Sequence, residues 1–201
     1  MVVSGGIFAS TQKHVGRIMG YAAIAETGLL ILAMGLKSIE IVNVIFLLLI
    51  PRGLELAVWA LGLSVVKREA FSLQFSEIRG MVRKFPIAVT AIILAHLSMT
   101  GFPLLAGFPS RLALWQELAN QSLVVSFWIF LGLLGLLISA IRTLAVFVMA
   151  EENTAWSWNE SWVQAGMLTL GVIGLFILGL IPQTLQPFLS KLPELFEHLS
   201  Q

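Results

Sequence analysis

The sequence predicts an all-α integral membrane protein with five transmembrane helices, and three observations predict it. Of its 201 residues, 58% are hydrophobic and only 11% charged, where a soluble domain carries about a quarter. Four apolar runs, 16–36, 41–66, 124–149 and 161–186, each reach the roughly 20 residues a helix needs to cross a hydrocarbon core. Nothing alternates with the period of a strand. Helices, whose hydrogen bonds close within the segment, therefore satisfy the backbone in lipid. A fifth run, 86–119, is long enough if the break at its middle belongs to one discontinuous span. The whole chain, 1–201, reads as a single membrane domain.

The segment before the first span, "MVVSGGIFASTQKHVGRIMGY", lacks the apolar centre of a signal peptide, and its positive charges come late, at Lys13 and Arg17. Lysine and arginine set topology, since acids count little in that rule. With five spans, this segment and the loops 67–85 and 150–160 share one side, which holds Lys13, Arg17, Lys67, Arg68, Arg79, Arg83 and Lys84. The opposite side holds Lys37 and Lys191. The first is then the cytoplasmic-type side of a bacterial inner membrane or another energy-coupling membrane, with the N-terminus on it and the C-terminus opposite.

Ionisable residues at span ends reach water along their stems, but several here stand near mid-span. Glu26 is central in the first span, and Arg52 and Glu55 follow Pro51 in the second. His96 lies in the first half of the broken span and Arg111 opens its second half. One charge at a helix centre costs about 2.5–3.5 kcal/mol on the lenient insertion scale, so these groups must face one another or water. Arg52 and Glu55, at i,i+3, share a helix face and are placed to pair. Glu26 has no cation at i±3 or i±4, so Arg52 or Arg111 must come to it from another helix. Glu117 and Arg142 are nearer span ends and read as interfacial.

The interruption is "LSMTGFPLLAGFPSR". Gly101, Pro103, Gly107 and Pro109 stop the hydrogen-bond ladder and leave free backbone groups. Such backbone is tolerated at membrane depth only inside protein or along a hydrated cavity, and transporters place ion sites at such breaks. Two half-helices, 86–102 and 110–119, are expected around an extended segment, with Ser110 capping the second. Ser98, Thr100 and Ser110 could help hold water there. In "WSWNESW", Trp156, Trp158 and Trp162 read as an aromatic belt. The tail 187–201, "PFLSKLPELFEHLSQ", reads as an amphipathic interfacial helix or a frayed end.

With no cysteine, disulfides, thiolate metal sites and thiol nucleophiles are excluded. Metal-ligand spacing, a nucleophile with its base and a phosphate loop are also missing from the pattern. No catalytic residue, metal or cofactor is therefore expected, and the net charge of +1 gives no reason to expect a nucleic-acid partner.

Three stretches carry a family resemblance. In "QKHVGRIMGYAAIAETG", Gln12, Val15, Arg17, Tyr21, Ile24 and Gly28 match a segment of the antiporter-like membrane subunits of complex I and of multi-subunit cation/proton antiporters. "GMVRKFP" resembles the basic entry to that family's broken helix, and "LSMTGFPLLAGFPSR" resembles the break itself. The resemblance runs from about residue 8 to 186 and implies the last five of fourteen or so helices. The lysine or glutamate that follows the family's break falls on Arg111. Departures are Gly16 for a lysine, Glu26 for a histidine or glutamine, and Ile50 and Leu54 where a His-x-x-x-Lys pattern would fall. The mid-span groups Arg111, Glu26, Glu55, Arg52 and His96 read as a proton or Na⁺ path, in which the resemblance gives Arg111 the place of the family's own path residue. It also implies a place in a proton-translocating quinone oxidoreductase or antiporter complex. Partners would be the bilayer and other membrane subunits, including a chain supplying the missing N-terminal helices. The rival reading is a non-conducting structural or docking module of the same descent.

Overall fold

A computed structural model describes residues 1–36, 41–149 and 156–185. Among these residues seven helices run in order: α1 Val2–Thr11, α2 Val15–Met34, α3 Ile41–Lys67, α4 Pro86–Thr100, α5 Gly107–Gln121, α6 Leu123–Val148 and α7 Trp162–Leu180, with 3-10 turns at Met81–Arg83 and Pro182–Leu185. Among the described residues no strand forms. Residues of α2, α3, α6 and α7 are apolar over a length that crosses a membrane, which makes this an integral membrane protein. The amphipathic tail expected at 187–201 lies outside the described residues.

The first departure from expectation is α1, ten residues that the sequence left as a flanking segment. Ten residues make only about 15 Å of helix, half a crossing, so no span-length signal exists. Its glycines explain its seat. A Cβ on Gly6 would run into the carbonyl of Gly132 on α6, and one on Gly135 would come 2.5 Å from the carbonyl of Gly6. The two helices thus meet backbone to backbone, as small residues allow in membranes. Arg142 of α6 donates to the carbonyl of Ser10 and lies 5.6 Å from the Phe75 ring. A cation there complements the free carbonyls at the α1 C-terminus. This side chain is a tie between elements, not only an interfacial one. Residues 12–14 lie at the basic end of the bundle, but Met1 packs against Gly28, part-way along α2.

Loops knit that basic end together. Val15 donates to Leu73 O at 3.0 Å and Phe75 to Lys13 O at 2.8 Å, while Ser157 and Asn159 donate to Arg83 O and Lys84 O, each at 3.1 Å. Helix α4 begins with Pro86 and has no capping side chain before it. Its free amides are met instead by Glu160, which accepts from Ala88 at 2.7 Å and Ile87 at 3.3 Å. A carboxylate is well suited to a helix N-terminus. The core beneath holds Trp59, Ile92, Phe147, Leu168 and Leu175, all fully buried, and it backs the face of α3 that carries Glu55.

Candidate functional site

The site grows from the interruption between α4 and α5. Helix α4 closes at Gly101 (φ 79°), where a left-handed residue lets the last carbonyls be met: Gly101 donates to Ser98 O at 2.9 Å and Phe102 to Leu97 O at 3.2 Å. Residues 101–106 form turns rather than the extended segment expected, and Leu104 also takes a left-handed φ of 73°. Helix α5 starts at Gly107, earlier than Ser110. The physical reason is that Pro109 falls in the first turn, where its missing amide leaves no bond unmade. Ser110 therefore does not cap. Its hydroxyl donates back to Gly107 O at 2.9 Å.

Arg111, one turn on from Gly107, is the centre of a buried cluster. Its Nη2 donates to Glu26 Oε1 of α2, its Nη1 donates to Gly107 O at 2.9 Å, and Nη2 stands 3.9 Å from Glu55 Oε2 of α3. Of the two arginines offered for Glu26, it is Arg111 that meets it. Glu55 accepts on Oε1 from the Ser98 hydroxyl at 2.6 Å, and Ser98 Oγ in turn accepts from the Gly107 amide at 3.0 Å. Glycine at 107 is a steric requirement: a Cβ would strike Arg111 Nη1 and Ser98 O and come 2.7 Å from Glu55 Oε1. The positive end of α5 disfavours a cation beside it. Two carboxylates offset that, and fully ionised the trio carries one net negative charge.

Arg52 does not pair with Glu55. It turns to α2, donating to Thr27 Oγ1 at 2.7 Å and Ala23 O at 3.4 Å. A shared helix face brings two heads near each other, but a neighbouring helix offering acceptors wins the bond. His96 is fully buried, stacked on Trp59 with centroids 4.3 Å apart, and its Nε2 lies 2.9 Å from Ser139 Oγ. Thr143 donates to Ser139 O at 2.7 Å, extending this polar run along α6 toward the basic end. Four buried polar atoms lack a hydrogen-bond partner among the described residues: Glu55 Oε2, Arg111 Nε, Trp59 Nε1 and His96 Nδ1.

Glu26, Glu55 and Arg111 are thus brought together, with His96 adjoining through Trp59, while Arg52 is bound elsewhere on α2. Gly101 and Gly107 shape the break directly. Sequence reasoning missed Trp59, Ser139 and Thr143, which read as ordinary apolar-helix residues, and missed Glu160. The uncapped start of α4 at Pro86 was the available signal for a carboxylate from elsewhere. No cluster of three or more metal-ligating side chains occurs among the described residues.

Residues 1–136 match the family described as NADH:quinone oxidoreductase/Mrp antiporter, TM. The chain is 32% identical over 202 residues to NADH-quinone oxidoreductase subunit 14 of Thermus thermophilus, covering 94% of this chain and 43% of that protein. It is 28% identical over 210 residues to NADH-quinone oxidoreductase subunit N of Dehalococcoides mccartyi, covering 96% and 41%. Its fold is similar to that of a chain of the membrane-bound sulfane sulfur reductase, an archaeal respiratory membrane complex, with a TM-score of 0.77, 20% identity, and 89% and 30% of the two chains covered. It is also similar to a chain of respiratory complex I from Thermus thermophilus, with a TM-score of 0.73, 19% identity, and 98% and 42% covered. The chain spans about two fifths of the length of these curated relatives. With more than half of its residues inside the family match, this chain belongs to the NADH:quinone oxidoreductase/Mrp antiporter transmembrane family.

Proposed function

We propose that this chain is a membrane-arm subunit, or half of a split one, that moves protons or Na⁺ within a larger redox-driven or antiport complex. The observation that carries this is the buried trio of Glu26 and Glu55, each at mid-helix, and Arg111, near the start of α5. A buried ion pair is often no more stable than the leucines that could replace it. An intramembrane ionisable group is by default a functional one. Helices α4 and α5 together make the fifth crossing, a discontinuous span whose interruption holds the trio. The basic end faces the cytoplasm of a bacterial or other energy-coupling membrane. Its partners are other membrane subunits of respiratory complexes like those its relatives' names describe, among them a chain supplying further helices.

In this reading Arg111 does not itself carry the proton, because a guanidinium stays protonated at any physiological pH. It holds two carboxylates in its field, so that a proton or a cation arriving at one of them changes how strongly the arginine is held by the other. His96 and its hydroxyl neighbours Ser139 and Thr143 form the limb of the path toward the basic end. The second reading, a structural docking module, draws on the chain's spanning only about two fifths of its relatives' length. The assembled native complex in proteoliposomes separates the two. Arg111→Met abolishes ion transport with assembly intact if the chain conducts, and Arg111→Lys keeps part of it. Full transport in Arg111→Met makes the chain structural.

A further inference from the structure

We infer that Ser98 is a positioning residue that fixes which oxygen of Glu55 takes a proton. The inference rests on the conducting role proposed above only for its importance, since its geometry stands apart. Ser98 Oγ has two partners among the described residues. Gly107, the first residue of α5, donates its amide to that oxygen at 3.0 Å. An amide cannot accept, so the direction of this bond is settled. The hydroxyl proton then has one acceptor within reach, Glu55 Oε1 at 2.6 Å. Oε1 is thereby committed as an acceptor. A proton arriving at Glu55 goes to Oε2, the oxygen without a hydrogen-bond partner among the described residues, 3.9 Å from Arg111 Nη2.

Among the described residues, the charged and titratable groups around that carboxyl are few. They are Arg111 from α5, Glu26 from α2 beyond it, Arg52 on its own helix turned toward Thr27, and His96 on α4, which Trp59 and Ser139 engage. Helix α7 contributes no ionisable side chain. The proton adds to Oε2 and removes one negative charge. Nothing else is made or broken, and the Ser98 bond to Oε1 persists in both states. The same hydroxyl holds the opening amide of α5, so the carboxyl is anchored to the helix break and not merely to α4.

The test is infrared difference spectroscopy of the assembled complex between high and low pH, with Glu55→Gln used to identify the Glu55 band. The expected spectrum shows one protonated-carboxyl C=O band that Glu55→Gln removes. In Ser98→Ala that band moves to higher wavenumber, because its carbonyl oxygen, Oε1, has lost a donor. Ser98→Thr restores the original position, and Ser98→Cys, a weaker donor, gives an intermediate one if Ser98→Ala does not assemble. A role confined to the α5 start would alter the stability of the break and leave the band in place. A Glu55 band unmoved in Ser98→Ala or Ser98→Cys overturns the inference, as does the absence of any Glu55 band down to the acid limit of assembly. Because no transport is measured, a null result in Arg111→Met transport would leave this result readable.

Discussion

The indole of Trp59 lies on the imidazole of His96, ring centroids 4.3 Å apart and planes 27° from parallel. Trp59 is one helical turn from Glu55, on the side nearer Lys67, so the stacked pair stands between the carboxylate trio and the polar run along α6. Offset stacking at this distance is favourable beyond the area it buries. Replacing Trp59 by alanine opens a cavity and is expected to cost about 3–5 kcal/mol. Trp59→Phe keeps the ring face and removes a nitrogen that has no partner among the described residues, so its cost falls well below that. Thermal unfolding of the two variants in detergent checks the order, and equal losses would show that stacking on His96 contributes nothing.

Glu26 and Arg111 lie on helices 85 residues apart in the chain, which makes their pairing measurable by a double-mutant cycle. Removing either partner strands a buried charge, at a cost of about 3–5 kcal/mol. Glu26→Gln with Arg111→Met removes both, and the double variant is expected to be more stable than the sum of the single losses by more than 1 kcal/mol, a coupling typical of contacting residues. Additive losses would place the pair outside contact.

Glu160 substitutes for a missing cap on α4. Glu160→Ala should cost about 0.5–2 kcal/mol, the range for losing a helix N-cap. The loss should be local. Hydrogen exchange at the amides of Ile87 and Ala88 is expected to accelerate, with the amides of α2 unchanged, and unaltered exchange at those two positions would count against the cap.

Gly6 and Gly132 share a contact that admits no side chain. Gly6→Leu forces α1 off α6 and is expected to cost at least the 1–3 kcal/mol of an overpacked core. Thermal unfolding in detergent checks it, and a Gly6→Leu variant as stable as the parent would show that the two backbones do not meet.

What the sequence disclosed, it disclosed through energy. A carboxylate such as Glu26 with no local cation had to find one, and the choice narrowed to two arginines before any fold was known. An interruption within Gly101–Pro109 was equally plain, because two prolines and two glycines so close together weaken any helix ladder that runs through them. Its details were not, since whether α5 starts at Gly107 or Ser110 depends on the Ser98 hydroxyl, supplied by another helix. Arg52 went astray for the same reason: spacing along α3 shows Glu55 beside it, and only packing shows Thr27. Helix α1 escaped because half a crossing leaves no length signal and two adjacent glycines lower helix propensity. Glu160 escaped because it acts more than seventy residues from its own place in the chain.

Arg111 is bound through Nη1 to the carbonyl of Gly107, in its own helix. That bond makes its charge part of the half-helix it stands on, like a needle fixed to its dial. A long cation free to swing would absorb a small tilt of α5 by changing rotamer, and neither carboxylate would register it. Leashed to its own first turn, the guanidinium carries every displacement of α5 straight into its separations from Glu26 and Glu55. Mechanical position at the break is thereby read out as electric potential at two oxygens, and a change of potential there is returned as force on the half-helix.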